Sequence, residues 1–167
     1  MAKKNLIVGQ SGGPTAVINS SLYGVVSEGL THPDTIEHVY GMVNGIEGFL
    51  NDRILNFEEA LPGDKLNGLT HTPGAYLGSC RYKLPESLED PVYPALFKKF
   101  EELNIGWFFY IGGNDSMDTV SKLSRYAASI GSPIRVIGEP KTIDNDLVHT
   151  DHTPGFGSAA KYVASTV

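Results

Sequence analysis

The sequence is poor in cysteine and has no long apolar run. Cys80 is the only cysteine among 167 residues, so the chain can close no internal disulfide and build no cysteine metal cluster, as is typical of proteins in the reducing cytoplasm. No apolar stretch approaches the roughly 18 residues of a membrane-spanning helix. The first residues also lack the apolar segment and the small-residue cleavage site of a signal peptide. We therefore expect a cytoplasmic protein without a membrane partner.

Basic residues are outnumbered by acidic ones. The chain has 13 Lys and Arg against 19 Asp and Glu, a net charge of −6. Because nucleic-acid backbones are bound by clustered Lys and Arg, this balance argues against a nucleic-acid partner. Hydrophobic residues make up 41% of the sequence and aromatic residues 10%, which excludes disorder and suffices for the core of one domain at about 150 residues per domain.

Apolar runs of strand length alternate with segments of helical periodicity along the chain. The predicted strands are 5–10, 36–43, 107–111 and 134–138. The predicted helices are 16–29, 93–103, 115–129 and 157 onward, with a short helix over 45–55 and a loop over 61–81. The unbroken apolar runs at 107–111 and 134–138 predict central strands covered on both faces. The alternation predicts a three-layer, Rossmann-like α/β fold, with a mostly parallel sheet and helices on both faces.

Three unusual loops follow predicted strands, at residues 11–15, 112–116 and 140–146. They contain four of the 19 glycines, as two adjacent pairs, and two of the 10 prolines. In open parallel sheets, ligands bind beyond the carboxyl ends of the strands. We therefore expect the three loops to converge on one site at one edge of the sheet.

The first loop carries Ser11, Gly12 and Gly13 between a strand and a helix. Glycines there let backbone N–H groups approach an anion, and the helix N-terminus adds partial positive charge. The spacing fits neither the dinucleotide-binding fingerprint nor the Walker A loop. Residues 9–13 do match G-x-S-x-G, the nucleophile elbow of hydrolases, but no upstream strand and loop can supply the oxyanion donors. A phosphate loop is favoured, and a hydrolase elbow or an ordinary turn is the alternative.

The second loop carries Gly113, Asn114, Asp115 and Ser116. Its N–H donors and side-chain oxygens lie within one turn, which suits a phosphate with its Mg²⁺. The alternative is a plain helix N-cap formed by Asp115 or Ser116.

The third loop places Lys141, Asp144 and Asp146 within six residues of one another. A carboxylate there can act as a general base on a hydroxyl nucleophile, and the lysine can neutralise phosphoryl charge. The alternative is a solvated acidic turn. Arg81 is a weaker candidate, since it can clamp a phosphate or simply lie on the surface.

Two further features have simpler interpretations. His149 and His152 have no evident third partner for a metal. Cys80 is expected to be a small buried hydrophobic residue rather than a nucleophile.

Taken together, these segments resemble the phosphofructokinase family, which phosphorylates the 1-hydroxyl of fructose 6-phosphate. The resemblance covers nearly the whole chain and rests on SGGPTAVIN, LGSCR, IGGNDS, PKTIDND and TDHTPGFGSAAKYVAST. It implies the phosphofructokinase fold, a role in glycolysis, Mg²⁺ as cofactor, and a homo-oligomer at full length.

The resemblance also implies roles for individual residues. By position, the Gly12 N–H contacts the donor phosphates, Arg81 stabilises the transferring phosphoryl group, and Asp144 takes the proton from the sugar hydroxyl. Asn114 stands where the family usually has an aspartate that binds Mg²⁺. The implied catalytic residues are Arg81, Asp115, Lys141 and Asp144. The implied donor-binding residues are Gly12, Gly113, Asn114 and Ser116, and the implied substrate contacts are Thr142, Ile143, Asp144 and Asp146.

Two departures from the usual ATP-dependent pattern bear on the donor. Those members usually have GGDGS and PGTIDND, whereas this sequence has Asp115 and Lys141 in place of the glycines, as in pyrophosphate-dependent members. An aspartate would crowd and repel the α-phosphate of a nucleotide, and a lysine can meet the charge of pyrophosphate, so part of the specificity comes from exclusion. ATP remains the alternative donor.

The chain stops inside a predicted helix at Val167. The second domain of the family and its sugar-phosphate arginines would lie beyond the motifs present. We expect residues 1–167 to form a phosphoryl-donor-binding domain, apparently truncated, which is inactive by itself.

Overall fold

A computed structural model describes residues 2–146, 148–153 and 155–167. The strands are β1 (Lys4–Gln10), β2 (Ile36–Met42), β3 (Ile54–Asn56), β4 (Ile105–Gly112) and β5 (Arg135–Pro140). The helices are α1 (Ile18–Leu30), α2 (Gly45–Leu50), α3 (Phe57–Ala60), α4 (Val92–Glu102), α5 (Asn114–Ser129) and α6 (Phe156–Thr166), with a 3₁₀ helix at Gly63–His71.

The strands form one sheet in the order β3-β2-β1-β4-β5. β1 lies in the middle and pairs in parallel with β2 and β4, so that Ile7 lies between Tyr40 and Phe108. β4 and β5 are also parallel, and β3 is antiparallel to β2. These pairings confirm the predicted mostly parallel α/β sheet. Its inner strands are the apolar runs that end in glycine-rich loops.

Side chains alternate between the two faces of the sheet, and helices cover both. Ile7 and Phe108 point to the face that packs on α2, α4 and α5, where the core is rich in aromatic rings. Leu6 and Val8 point to the other face, against α1 and the 3₁₀ helix. This alternation is the period of two that a β-strand imposes. The three-layer architecture is therefore confirmed.

The segments around β3 differ from the prediction. The short helix expected over 45–55 ends at Leu50, and the chain turns at Asp52 in a left-handed conformation (φ 59°) before β3 begins. Within the predicted loop 61–81, the 3₁₀ helix buries Leu66 and Leu69 in the core beneath α1. Neither α2 nor the 3₁₀ helix has enough residues to show a periodicity in the sequence.

The sequence predicts β5 as a central strand, but among the described residues it lies at the edge of the sheet. In the sheet formed by the described residues, β5 is the outermost strand beside β4, and Arg135 and Ile137 are exposed. Apolar runs occur in edge strands as well as in central ones, so the sequence of β5 alone does not decide its place in the sheet.

Trp107 and Phe109 of β4 border an apolar groove of about 470 Å³ on the α1 face of the sheet. None of the helices in the described ranges is long and apolar enough to cross a membrane.

Candidate active site

Three loops meet at the carboxyl edge of the sheet, as the sequence predicts. Residues 11–15 follow β1, residues 113–116 follow β4, and residues 141–146 follow β5; all three segments contribute to one cleft of about 820 Å³. Residues 80–83 complete its wall. Because β1, β4 and β5 are parallel neighbours, their carboxyl ends place these loops side by side.

The glycine loop after β1 is held by the segment at residues 79–80. Gly12 is left-handed (φ 76°), and its N–H donates to the carbonyl of Cys80 at 3.2 Å. The Ser11 hydroxyl donates to the same carbonyl at 3.3 Å, and the Ser79 hydroxyl donates to the carbonyl of Gly12. The N–H that the resemblance assigns to donor phosphates therefore meets a protein carbonyl in this structure. Gly12 itself lines the cleft.

The hydrolase interpretation of this loop does not fit the geometry. Ser11 is buried, with its hydroxyl bonded to a backbone carbonyl. The described residues that line the cleft include no histidine, so no imidazole base is at hand to activate a serine. The G-x-S-x-G match is thus incidental to the strand–glycine–helix turn.

Lys141 joins the loops from inside the cleft wall. Its N–H donates to the carbonyl of Gly112 at 2.9 Å, and its ammonium donates to the carbonyl of Gly13 at 2.5 Å. Burial of the side chain lowers the pKa of Lys141 from the ordinary lysine value, and the charge of Asp144 opposes that shift. The site thus holds a desolvated cation next to its glycine loop.

The turn after β4 begins α5 with its N–H groups at the cleft. The helix starts at Asn114, and Gly113 occupies the N-cap position with no side-chain cap. The predicted capping by Asp115 or Ser116 was therefore wrong; both residues lie within the first turn, and Ser116 is buried. A Cβ on Gly112 would lie 2.0 Å from the Ser116 hydroxyl, so the strand must end in glycine. The helix N-terminus contributes partial positive charge here.

Asp115 projects from this turn into solvent. Its side chain is 79% exposed, and Oδ1 lies 3.4 Å from the ammonium of Lys83 across the rim of the cleft. A carboxylate in the first turn of a helix is favoured by the helix dipole. The exposed pair places one charge of each sign at the rim.

The acidic turn after β5 is fixed by its central asparagine. Asn145 is left-handed (φ 57°), and its side chain accepts from the N–H of Thr153 at 2.9 Å and donates to the carbonyl of Asp151 at 3.3 Å. The N–H of Asp144 donates to the Thr142 hydroxyl at 3.0 Å. The turn therefore presents Asp144 from a braced backbone.

Asn114 and Asp146 contact each other across the cleft. The Asn114 side-chain N–H donates to Oδ2 of Asp146 at 2.7 Å. Among the described residues, no group of three or more His, Cys, Asp or Glu side chains could hold a metal ion, and His149 and His152 form no such site. The cleft therefore offers scattered oxygen donors rather than a closed cage.

The family model for phosphofructokinase matches residues 5–167. The chain belongs to the phosphofructokinase family. It is 44% identical over 168 residues to the pyrophosphate–fructose 6-phosphate 1-phosphotransferase of Methylococcus capsulatus, covering 100% of this chain and 40% of that protein. It is 31% identical to the ATP-dependent 6-phosphofructokinase of Sodalis glossinidius, over 98% of this chain and 47% of that protein. A solved pyrophosphate-dependent phosphofructokinase from Marinobacter aquaeolei superposes with a TM-score of 0.84 at 48% identity, over 97% of this chain and 39% of that chain.

This phosphofructokinase chain thus spans about 40% of the length of the pyrophosphate-named relatives that it matches. Its cleft brings together the residues to which the sequence resemblance gave roles. They are Gly12, Arg81, Gly113, Asn114, Asp115, Ser116, Lys141, Thr142, Ile143, Asp144 and Asp146. Arg81 and Ile143 are exposed, whereas Lys141 and Thr142 are buried.

Sequence reasoning missed a buried polar pair behind the phosphofructokinase cleft. Gln10 and Asn19 are almost fully buried, and they bond to each other at 3.0 Å. A glutamine at the end of an apolar strand and an asparagine inside a helix were the available signals. Together the pair fixes the coil that leads to Arg81. Its other partners are the carbonyls of Ile18, Thr72 and Gly74 and the N–H groups of Tyr76 and Leu77.

Proposed function

We propose that this chain is the donor-side domain of an enzyme that transfers a phosphoryl group from pyrophosphate to the 1-hydroxyl of fructose 6-phosphate. The observation that carries the proposal is the Lys141 ammonium in the cleft wall. It donates to Gly13, and a Cβ on Gly12 would lie 3.4 Å from it. A cation at this point serves a small, highly charged donor, because pyrophosphate offers charge and no base or ribose to bind.

Asp115 supports the same donor by exclusion. Its carboxylate stands in the first turn of α5, at the cleft. The α-phosphate of a nucleotide that extended past this turn would meet a like charge. The identity of 44% to the pyrophosphate-named enzyme of Methylococcus capsulatus, against 31% to the ATP-dependent enzyme of Sodalis glossinidius, agrees with this assignment.

The transfer itself needs a base, an acceptor and charge stabilisation. Asp144 takes the proton of the sugar 1-hydroxyl, and that oxygen forms the new bond to phosphorus as the bond to the leaving phosphate breaks. Arg81 and Lys141 stabilise the negative charge on the transferring group and on the leaving phosphate. Thr142, Ile143 and Asp146 contact the acceptor, as the family pattern implies.

The residues present fit Mg²⁺. This ion prefers oxygen ligands and is bound in phosphoryl-transfer sites by one or two carboxylates together with substrate phosphates. Asn114 and Asp146 supply an amide and a carboxylate at the cleft. In this assignment they hold the ion, whose charge offsets that of the phosphoryl oxygens when it is bound.

The cellular setting follows from the same assignment. We place the protein in cytoplasmic glycolysis, supported by the single cysteine and by the family's chemistry. Residues 1–167 form the donor side, and the acceptor's phosphate is bound by a second domain in the full-length protein, which we expect to be a homo-oligomer.

The donor assignment is tested by steady-state turnover of the protein at the length of its relatives, with pyrophosphate and with ATP. We expect activity with pyrophosphate. Activity with ATP alone would disprove pyrophosphate as the donor, whereas the membership of the chain in the phosphofructokinase family would still stand. The double variant D115G/K141G should shift the ratio of kcat/KM toward ATP. An exchange of the exposed Ser124 on the same helix, S124G, is the matched control and should leave that ratio unchanged.

A further inference from the structure

Lys122 is a buried lysine outside the cleft, on α5. Its side chain is only 4% exposed, and three acceptors surround its ammonium. They are Oδ2 of Asp118 at 2.7 Å, Oε1 of Glu86 at 2.6 Å and the carbonyl of Leu84 at 3.2 Å. The hydrogen bonds to Asp118 and Glu86 raise the pKa of Lys122, so the side chain stays charged.

The three acceptors belong to two different parts of the site. Asp118 lies on α5 itself, one turn before Lys122. Leu84 and Glu86 lie on the segment that leaves the cleft after Arg81. Lys122 therefore joins the segment 81–86 to the helix whose first turn forms the opposite wall of the cleft.

The rim has a second link between the same elements, but it is weak. Lys83 and Asp115 are 3.4 Å apart, with side chains 78% and 79% exposed. Exposed pairs of this kind contribute little, because water competes for both charges and both side chains lose freedom. The hydrogen bonds of Lys122 hold the segment 81–86 beside α5, together with the packing of Leu84 in the core and the bond from the Tyr93 hydroxyl to the carbonyl of Pro85 at 2.6 Å.

The side chain of Lys122 is buried, although the carboxylates of Glu86 and Asp118 are 88% and 57% exposed. An apolar side chain of similar volume would fill the same position without removing a charge from water. Unlike an apolar residue, Lys122 holds the segment 81–86 and α5 in one relative geometry through directed hydrogen bonds. Such precision has value where a reacting group must be placed to within a fraction of an ångström.

We propose that Lys122 is a positioning residue for phosphoryl transfer, which holds Arg81 and Lys83 at a set distance from the N-terminus of α5. The inference rests on the proposed function, since it takes the cleft as the donor site. Lys122 itself does not line the cleft. Lys122 acts through the segment that carries Arg81 and Lys83.

The variants E86Q and D118N distinguish a positioning role of Lys122 from a general effect on the stability of the fold. E86Q weakens the bond to the segment, whereas D118N weakens the bond within α5, and each removes one negative charge at an exposed carboxylate. K122M removes all three hydrogen bonds of the ammonium, and K122R keeps the charge and the donors. Calorimetric titration with Mg²⁺-pyrophosphate is the measurement, and thermal unfolding of each variant shows whether it is folded.

K122M should weaken pyrophosphate binding about tenfold and E86Q about threefold, as expected for misplaced cations. D118N should stay within about twofold of the wild type, and K122R should recover most of the affinity. Equal losses in E86Q and D118N, or wild-type affinity in K122M, would overturn the inference.

Amide hydrogen exchange supplies a readout that does not need the ligand. In K122M, the amides of residues 82–86 should exchange faster than in the wild type, with those of β1 unchanged. Unchanged exchange at residues 82–86 overturns the positioning role. If the wild type binds no pyrophosphate while K122M shows the faster exchange, the donor assignment fails and the role of Lys122 in fixing the segment stands.

Discussion

Lys141 sets the pH range over which the cleft keeps its buried positive charge. Burial lowers its pKa, so it loses its proton at a lower pH than an ordinary lysine, which titrates near 10.4. Affinity for Mg²⁺-pyrophosphate should therefore decline with rising pH below that value. K141R stays charged throughout, so its affinity should decline less between pH 7 and about pH 10. Calorimetry of both proteins checks this, and parallel declines would assign the effect to the ligand's own ionisation.

The lowered pKa of Lys141 also determines whether the free energy of unfolding rises or falls with pH. Between the lowered pKa of Lys141 and the ordinary value, the unfolded chain binds more protons than the folded one, so the contribution of Lys141 to the free energy of unfolding rises with pH in that window. K141M, which has no charge to desolvate, should lack this rise. Urea unfolding of both proteins over the same pH range measures it.

In the proposed Mg²⁺ site, Asn114 supplies an amide without the charge of an aspartate. Its N–H donates to Asp146 at 2.7 Å, and in N114D two carboxylates would face each other there. We expect N114D to bind Mg²⁺ about tenfold more tightly, since added ligand charge raises affinity for hard cations. It should also unfold at a lower temperature when Mg²⁺ is removed by EDTA. N114A loses the hydrogen bond without adding charge, so tighter Mg²⁺ binding in N114A would contradict the explanation.

At the scale of elements, the coil between the 3₁₀ helix and Arg81 depends on α1. Asn19 is 2% exposed and bonds to Gln10, Thr72, Gly74 and Tyr76. N19L would leave several of these buried groups unpaired, each at a cost of about 1–3 kcal/mol. We expect the free energy of unfolding to fall by about 3 kcal/mol in urea titrations. S20A, at an exposed position on the same helix, should stay within about 0.5 kcal/mol of the wild type.

Elements were predictable where the signal is local. β1, β2 and β4 are apolar runs that end in or near glycine, and α4 and α5 have a clear helical period, so their bounds agree with the prediction to within a few residues. β3 has only three residues and exists through its pairing with β2. The bonds that organise the site join Leu77 to Gln10 across 67 positions and Lys122 to Glu86 across 36. No local pattern encodes such partners.

At the scale of the whole molecule, the cleft contains the proposed donor site and the proposed base, Asp144, and is open to solvent. α6 buries none of its described residues, and Tyr162 and Val163 are exposed. Asp144 is exposed as well, so water has access to the carboxylate that we propose as the base. Transfer to a sugar rather than to water requires that the acceptor be held and solvent excluded.

The chain of 167 residues should therefore bind Mg²⁺-pyrophosphate without transferring its phosphoryl group. The glycine loop, Lys141 and the α5 N-terminus form within this chain, so binding needs no other segment. Turnover needs the acceptor's phosphate to be fixed, which we assign to the rest of the full-length protein. Calorimetry for binding and coupled detection of fructose 1,6-bisphosphate for turnover make the comparison, with the full-length protein as the positive control. Turnover by the 167-residue chain at a rate near that of the full-length protein would show that one domain suffices, and the two-domain assignment would be wrong.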